Sequence, residues 1–172
     1  MTGAILERLI TLLEREGADF QVLHHEPART SEEAARVRGT PLEQGAKALV
    51  FLADGTGVLL VAQAHRRVDT KAFKREHNVR DLRLMSPDDL FERFSLEVGA
   101  VPPFGSLLGL QTYVDERLLQ LPRIVFNAGS RATSVLLKTA DYQRIEQPLV
   151  RLLASGAPPP VVPAQTSSGD PA

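Results

Sequence analysis

The sequence predicts an α+β domain, and three observations carry that reading. Strands and helices alternate irregularly along the chain, and two apolar runs are joined tightly through Asp54-Gly55 as a hairpin. No GxGxxG, GKS/GKT or GxSxG motif marks a doubly wound nucleotide-binding sheet or a serine-hydrolase elbow. With 172 residues the chain fits one domain whose core can stand alone.

The elements follow in order. Ile5, Leu6, Leu9, Ile10, Leu12 and Leu13 recur at helical spacing between residues 4 and 16, and Gly17 stops the run. Asp19 to His25 sets Phe20 and Val22 on one face of a short strand, with His24 and His25 as strand-end residues near the surface. Thr30-Ser31-Glu32-Glu33 has the form of a capping box and opens a helix through Val37 that Gly39 ends. Gly45 to Leu52 is a strand, and Val58 to Ala62 is its hairpin partner. Lys47 interrupts the apolar alternation near the start of the first; in isolation, a lysine there snorkels to solvent. Asp69 caps a short helix with Ala72 and Phe73 inward and Lys71, Lys74 and Arg75 outward. Leu82 to Met85 is a strand, and Ser86-Pro87-Asp88-Asp89 supplies cap, first-turn proline and first-turn acids for the next helix. Strands follow at Leu110 to Val114 and Arg123 to Phe126, with a helical turn over Asp115 to Leu119 between them. Asn127 to Ser130 turns into Thr133 to Lys138, and Asp141 to Ile145 is helical. Residues 155–172 hold five of the twelve prolines with Ser, Gly and Thr, which predicts a disordered tail.

Composition excludes several chemistries. There is no cysteine, hence no disulfide framework, thiolate metal site or cysteine nucleophile. The four histidines form no HxxxH pair, so neither a metal nor a cofactor is expected. No apolar run reaches the ~18 residues of a membrane span, and the N-terminus lacks a signal-peptide pattern, so a soluble cytoplasmic protein is expected. The net charge of −1 requires any nucleic-acid contact to come from a local patch. One such run is residues 65–80, with six Lys/Arg against two acids. It reads either as a solvated helix face or, beside a phosphate site, as an RNA contact.

The most constrained stretch is Val98-Gly99-Ala100-Val101-Pro102-Pro103-Phe104-Gly105-Ser106. Its prolines fix φ and push the preceding residues to extended geometry, so it is neither helix interior nor central strand. Such a stiff apolar loop is most often a rigid buried connection. It can also hold amides in fixed directions, as an oxyanion or a ligand carbonyl requires.

Taken together, five segments resemble the YbaK/ProX-type aminoacyl-tRNA deacylases, the family of the editing insertion in bacterial prolyl-tRNA synthetases. They are Lys47 in GAKALVF, RRVDTKAFK, VGAVPPFG with a GxxxP core from Gly99 to Pro103, YVDERLL, and FNAGSRATSVLLKTADYQRI. The resemblance covers roughly residues 4–150. It implies a mixed, barrel-like β-sheet wrapped by helices, a single domain over residues 1–154 followed by the tail. The implied reaction is hydrolysis of the ester joining a mischarged amino acid to the tRNA 3′ adenosine. Water attacks, substrate hydroxyls assist, and no Ser or Cys nucleophile takes part. By the same resemblance Lys47 contacts the 3′ end, and the Gly99, Ala100 and Val101 backbone, fixed by Pro103, holds the substrate carbonyl and its developing oxyanion. Pro102 lacks an amide, which confines the donors to Gly99–Val101. Candidate pocket walls are Phe20, Phe51, Val101 and Phe104, with core packing the commoner role for the first two, and with Gly105 and Gly129 beside them. His65, Arg66, Arg67, Lys71 and Lys74 are candidates for the acceptor end of the tRNA. The leading expectation is a free-standing trans-editing hydrolase acting on mischarged tRNA, with an aminoacyl-tRNA synthetase as a candidate partner. The competing one is a non-catalytic tRNA- or aminoacyl-adenosine-binding module.

Overall fold

A computed structural model of the protein describes residues 3–155. Helix α1 (Gly3–Arg15) buries Ile5, Leu9 and Leu13, which the spacing of four stacks on one face. Strand β1 (Phe20–His24) follows, then α2 (Ser31–Arg38). The Thr30 hydroxyl accepts from the Glu33 amide at 3.1 Å as expected, while the Glu33 carboxylate reaches back one residue past the cap, to the Arg29 amide at 2.9 Å. Strands β2 (Ala46–Ala53) and β3 (Thr56–Gln63) are joined by Asp54 and Gly55 at φ +47° and +84°. Positive φ at both positions is the turn that matches strand twist in a two-residue hairpin. The chain continues through α3 (Thr70–Glu76), β4 (Leu82–Leu84) and α4 (Pro87–Phe94), capped by Asp69 and Ser86 as expected. It closes with β5 (Gln111–Asp115), β6 (Arg123–Ser130), β7 (Thr133–Lys138), α5 (Thr139–Glu146) and β8 (Leu149–Arg151).

Among the described residues these make two sheets and no closed barrel. One is antiparallel in the order β1-β7-β6; the other runs β4-β2-β3-β5-β8, with β5 parallel to both neighbours. A parallel bridge between Gly45 and Val125 joins them. The main core lies against both sheets and contains Leu9, Leu59, Phe104, Phe126 and Tyr142. A smaller core of Phe51, Val58, Leu60, Phe73 and Leu153 covers the other side of the β2-β3 hairpin. Being covered on both sides, β3 is buried from Val58 to Gln63, which is why its apolar run is unbroken.

Two expectations need correction. The turn placed over Asn127–Ser130 is part of β6: the register with β7 shifts between Asn127 and Ser130, and Gly129 sits at φ +89°. Glycine here makes a bulge and not a turn, and the chain reverses at Arg131-Ala132. Strand β8 was not foreseen, because three residues are too few for alternation to register. It is held in place by Asp115, whose buried carboxylate accepts the Leu153 and Ala154 amides at 2.8 and 2.7 Å. Of the expected tail only Ser155 is described, its amide donating to the Arg67 carbonyl at 3.0 Å; residues 156–172 lie outside the described residues.

The Pro/Gly loop crosses the main core. The Tyr142 hydroxyl donates to the Pro103 carbonyl at 2.9 Å, and Phe104 is fully buried, edge-on to Tyr142 at 5.3 Å and 5.9 Å from Phe126. Burial first and Glu146 second raise the Tyr142 pKa well above that of a free phenol, so the hydroxyl keeps its proton and remains a donor. The Gly105 amide donates to Thr112 Oγ1 at 3.0 Å, and a Cβ at position 105 would overlap that oxygen and the Leu110 carbonyl. Gly105→Ala should therefore destabilise the fold by ~1–3 kcal/mol of overpacking. For a domain of this size that is roughly 2–12 °C in Tm; a melt indistinguishable from the parent would show that this crossing relaxes freely.

Candidate active site

A cavity of about 240 Å³ opens where the first turn of α2, the start of β2, the loop at Val98–Val101 and the end of β6 converge. Its apolar lining includes Ala46, Ala48, Leu49 and Val101; its polar lining includes Arg29, Ser31, Arg38, Lys47, Asn127 and Arg131. Lys47 reaches it from β2, and its ammonium donates to the Arg66 carbonyl. Burial, and after it the charge of Arg67, lowers the Lys47 pKa.

The loop is pinned from behind. Gly99 adopts φ +86°, a region open to glycine, and its carbonyl accepts from Asn127 Nδ2 at 2.7 Å. The Ala100 carbonyl accepts the Gly129 amide at 2.8 Å, while the Ala100 amide donates to the Glu97 carbonyl at 3.0 Å. Among the described residues the amides of Gly99 and Val101 have no acceptor. Asn127 is itself fixed, because its Oδ1 accepts from Arg38 Nη2 at 2.7 Å and from Ser134 Oγ at 3.0 Å. Ser134 Oγ also accepts from Arg38 Nε at 2.8 Å and lies 2.7 Å from His25 Nε2. Burial pushes the Arg38 pKa down to about 10, which leaves it charged at neutral pH. The His25–Ser134 contact has the elements of a nucleophile and its base. Ser134 is nevertheless fully buried, and its oxygen is engaged by Arg38 and Asn127, so no substrate atom can reach it.

Several residues singled out in the sequence meet here and others do not. Lys47, Gly99 and Val101 line the cavity together. Ala100 points into the core, fully buried, and its amide is engaged, so of the expected trio only the Gly99 and Val101 amides lack an acceptor among the described residues. Pro103, Phe104 and Gly105 form the back of the loop, and Gly129 holds it; none of the four lines the cavity. Phe20 packs against the main core from β1, and Phe51 belongs to the smaller core, so neither is a wall of this cavity. The basic run divides. Arg66 is buried, with Nε donating to Gln63 Oε1 at 2.8 Å, whereas Arg67 and Lys71 are exposed. Lys71 and Lys74 edge a separate surface hollow with Arg75.

Asn127 and Arg131 were within reach of sequence reasoning, since both fall in the FNAGSRATS segment. Nothing local marks Arg38, whose position reads as an ordinary cation in the last turn of a helix, or Arg29.

The fold and this cavity define a class. The aminoacyl-tRNA editing domain model matches residues 25–145, well over half the chain, and the protein belongs to that family. The chain is 41% identical over 147 residues to the multifunctional Ser/Thr-tRNA deacylase ProXp-y of Escherichia coli (strain K12), covering 83% of this chain and 88% of that protein. It is 25% identical over 146 residues to the prolyl-tRNA editing protein ProX of Acetoanaerobium sticklandii, covering 81% and 88%. A crystal structure proposed to be a trans-editing enzyme for prolyl tRNA synthetase superposes with a TM-score of 0.78 at 26% identity, over 89% of this chain and 98% of the other.

His65 gives the region around Lys47 a pH dependence. Both its ring nitrogens are buried without a hydrogen-bond partner. Burial, then the charge of Arg66 and more weakly Lys47, lowers its pKa against the smaller opposing pull of Glu43 and Glu32. In the window below the unfolded value of about 6.5, the unfolded ring binds a proton that the folded ring does not, so stability falls as pH falls. His65→Gln should flatten the decline in Tm between about pH 6.5 and 5; an unchanged slope would assign the acid sensitivity to other groups.

Proposed function

We propose that the protein is a free-standing trans-editing deacylase that hydrolyses the ester of mischarged aminoacyl-tRNA. The observation that carries this reading is the pairing of Lys47 with the pinned Gly99–Val101 backbone around one cavity. The ester carbonyl sits against the Gly99 and Val101 amides, water attacks its carbon, and the two amides take the negative charge that develops on oxygen. Preorganised donors of this kind are worth ~2.7–4 kcal/mol each, and an aminoacyl ester is reactive enough for positioning and such donors to suffice. A substrate hydroxyl assists the water, since the chain has no cysteine and the cavity's Ser31 hydroxyl already donates to the Ala64 carbonyl at 2.9 Å. Lys47 holds the 3′ end. Exposed Arg67 and Lys71, with partly exposed Lys74, remain available to the acceptor stem, whereas Arg66 serves the fold.

The amino acid removed is small. An apolar hollow of about 30 Å³, lined by Ala48, Leu49, Met85, Leu90, Val98 and Val101, adjoins the cavity and shares part of its lining. The relative ProXp-y, a Ser/Thr-tRNA deacylase, supports the same size class. Mischarged tRNA places the work in the cytoplasm, with the synthetase that made the error as the natural partner. The Gly45–Val125 bridge supports reading the two sheets as halves of one open, barrel-like wall.

Deacylation of Ala-, Ser-, Cys- and Thr-charged non-cognate tRNAs tests the proposal. Hydrolysis of at least one is expected; binding without loss of any ester would make the protein a tRNA-binding module. On the best substrate, Gly99→Val forces a side chain into positive φ and should misaim the donors. The single-turnover rate at saturating enzyme should fall at least about tenfold, below the 10²–10³ typical of one lost donor. A folded variant at the parental rate would overturn the oxyanion assignment.

A further inference from the structure

The charges around the cavity are unbalanced. Lys47, Arg29, Arg38 and Arg131 line it, and no Asp or Glu does. Two of these cations are already engaged: the Lys47 ammonium by the Arg66 carbonyl, and the Arg38 guanidinium by Ser134 and Asn127. Arg29 and Arg131 differ, because both are exposed. The Arg29 guanidinium has no acceptor among the described residues; only its backbone amide is bound, by Glu33. The Arg131 guanidinium faces Glu97 at 3.8 Å, with side chains 45% and 61% exposed, and a pair that long and that wet contributes little.

Arg131 is nevertheless placed. A Cβ on Gly99 would lie 3.4 Å from Arg131 Cδ and 3.6 Å from its Cγ, so the arginine stem lies against the bare glycine of the loop. Its stem is thereby placed beside the proposed oxyanion donors, and its side chain lines the same cavity. Like charges gathered round one cavity repel unless an anion joins them. The aminoacyl group cannot be that anion, since its free amine is itself cationic. What remains on the substrate is phosphate, which the fork of an arginine grips in bidentate fashion.

We propose that Arg131 and Arg29 clamp the phosphodiester on the 5′ side of the terminal adenosine, and so set the distance from that phosphate to the ester. The proposal rests on the deacylase reading for the identity of the ligand, but its binding readout does not depend on hydrolysis. The basic run at residues 65–74 then lies outside the primary contact.

Calorimetry at low salt with two ligands tests it: adenosine, and adenosine 5′-methylphosphate, which adds one phosphodiester charge. The parent protein should bind the second at least about tenfold more tightly, as expected for charge-assisted bidentate contacts. Arg131→Gln and Arg29→Gln should each cut that ratio, and the double variant should bring it to about one. Arg75→Gln, at the separate surface hollow, should leave it intact. Equal affinity of the parent for both ligands, or a ratio unmoved in the double variant, would overturn the clamp. A ratio that depends on the two arginines, in a protein that hydrolyses no charged tRNA, would uphold the clamp and refute the deacylase reading. Melting curves of each variant confirm that folding is unaffected.

Discussion

Three carbonyls of one apolar loop are claimed by two other parts of the fold, β6 and α5, and the candidate site depends on that. Gly99 is held by the Asn127 side chain, Ala100 by the Gly129 amide and Pro103 by the buried Tyr142 hydroxyl. Each such bond stabilises by ~0.5–1.5 kcal/mol net, and leaving a buried partner unsatisfied costs ~1–3 kcal/mol. The prolines matter for the same reason. They remove amides that would compete for these acceptors and fix the chain between its anchors. With these three carbonyls turned to the protein, the loop leaves the Gly99 and Val101 amides without an acceptor among the described residues.

The bulge in β6 is what lets a strand perform this task. Asn127 stays paired with Ser134, and the register shift that follows it takes Gly129 out of the ladder with β7; the Asn127 side chain and the Gly129 amide both donate to the same loop. Asn127 could still swing away, and Arg38 prevents this by engaging its Oδ1 while Ser134 braces both. A half-buried arginine is costly to desolvate, which its lowered pKa reflects, and its hydrogen bonds to Asn127 and Ser134 offset that cost. The charge is therefore part of the scaffold, and binding of an external anion falls to its exposed neighbours.

How much of this was legible follows from range. Lys47 stands out because a lysine breaks an apolar strand, and Gly99–Pro103 because two prolines beside two glycines permit few conformations, but the patterns alone read as a snorkelling lysine and a rigid connection, and only the family resemblance points to a site. The Thr30 cap, the hairpin turn and the helix starts are local chemistry and appear where their residues say. Arg38 is joined to Asn127 across 89 positions, and no pattern in either segment points to the other. The aromatic residues are ambiguous for a related reason: Phe20, Phe51 and Phe104 all have the right chemistry for a pocket wall, and packing places all three in cores, the commoner role already expected of the first two. Arg66 likewise looks like its exposed neighbour Arg67 until the turn after β3 folds it under.

Under the proposed function the arrangement separates two jobs that an editing site must keep apart. Recognition of the nucleic acid uses charge, which acts at a distance and is insensitive to the amino acid carried. Chemistry uses backbone amides, which have no side chain to lose and whose aim is set by anchors on the far side of the loop. The amino-acid side chain meets neither, but a small hollow of Ala48, Leu49, Met85, Leu90 and Val98. Discrimination by a methylene in such a hollow is worth only ~1–3 kcal/mol. Among the described residues no residue of the hollow outside the loop hydrogen-bonds the loop's carbonyls, so the hollow and the hydrogen-bonded anchors of the loop are separate parts of the site.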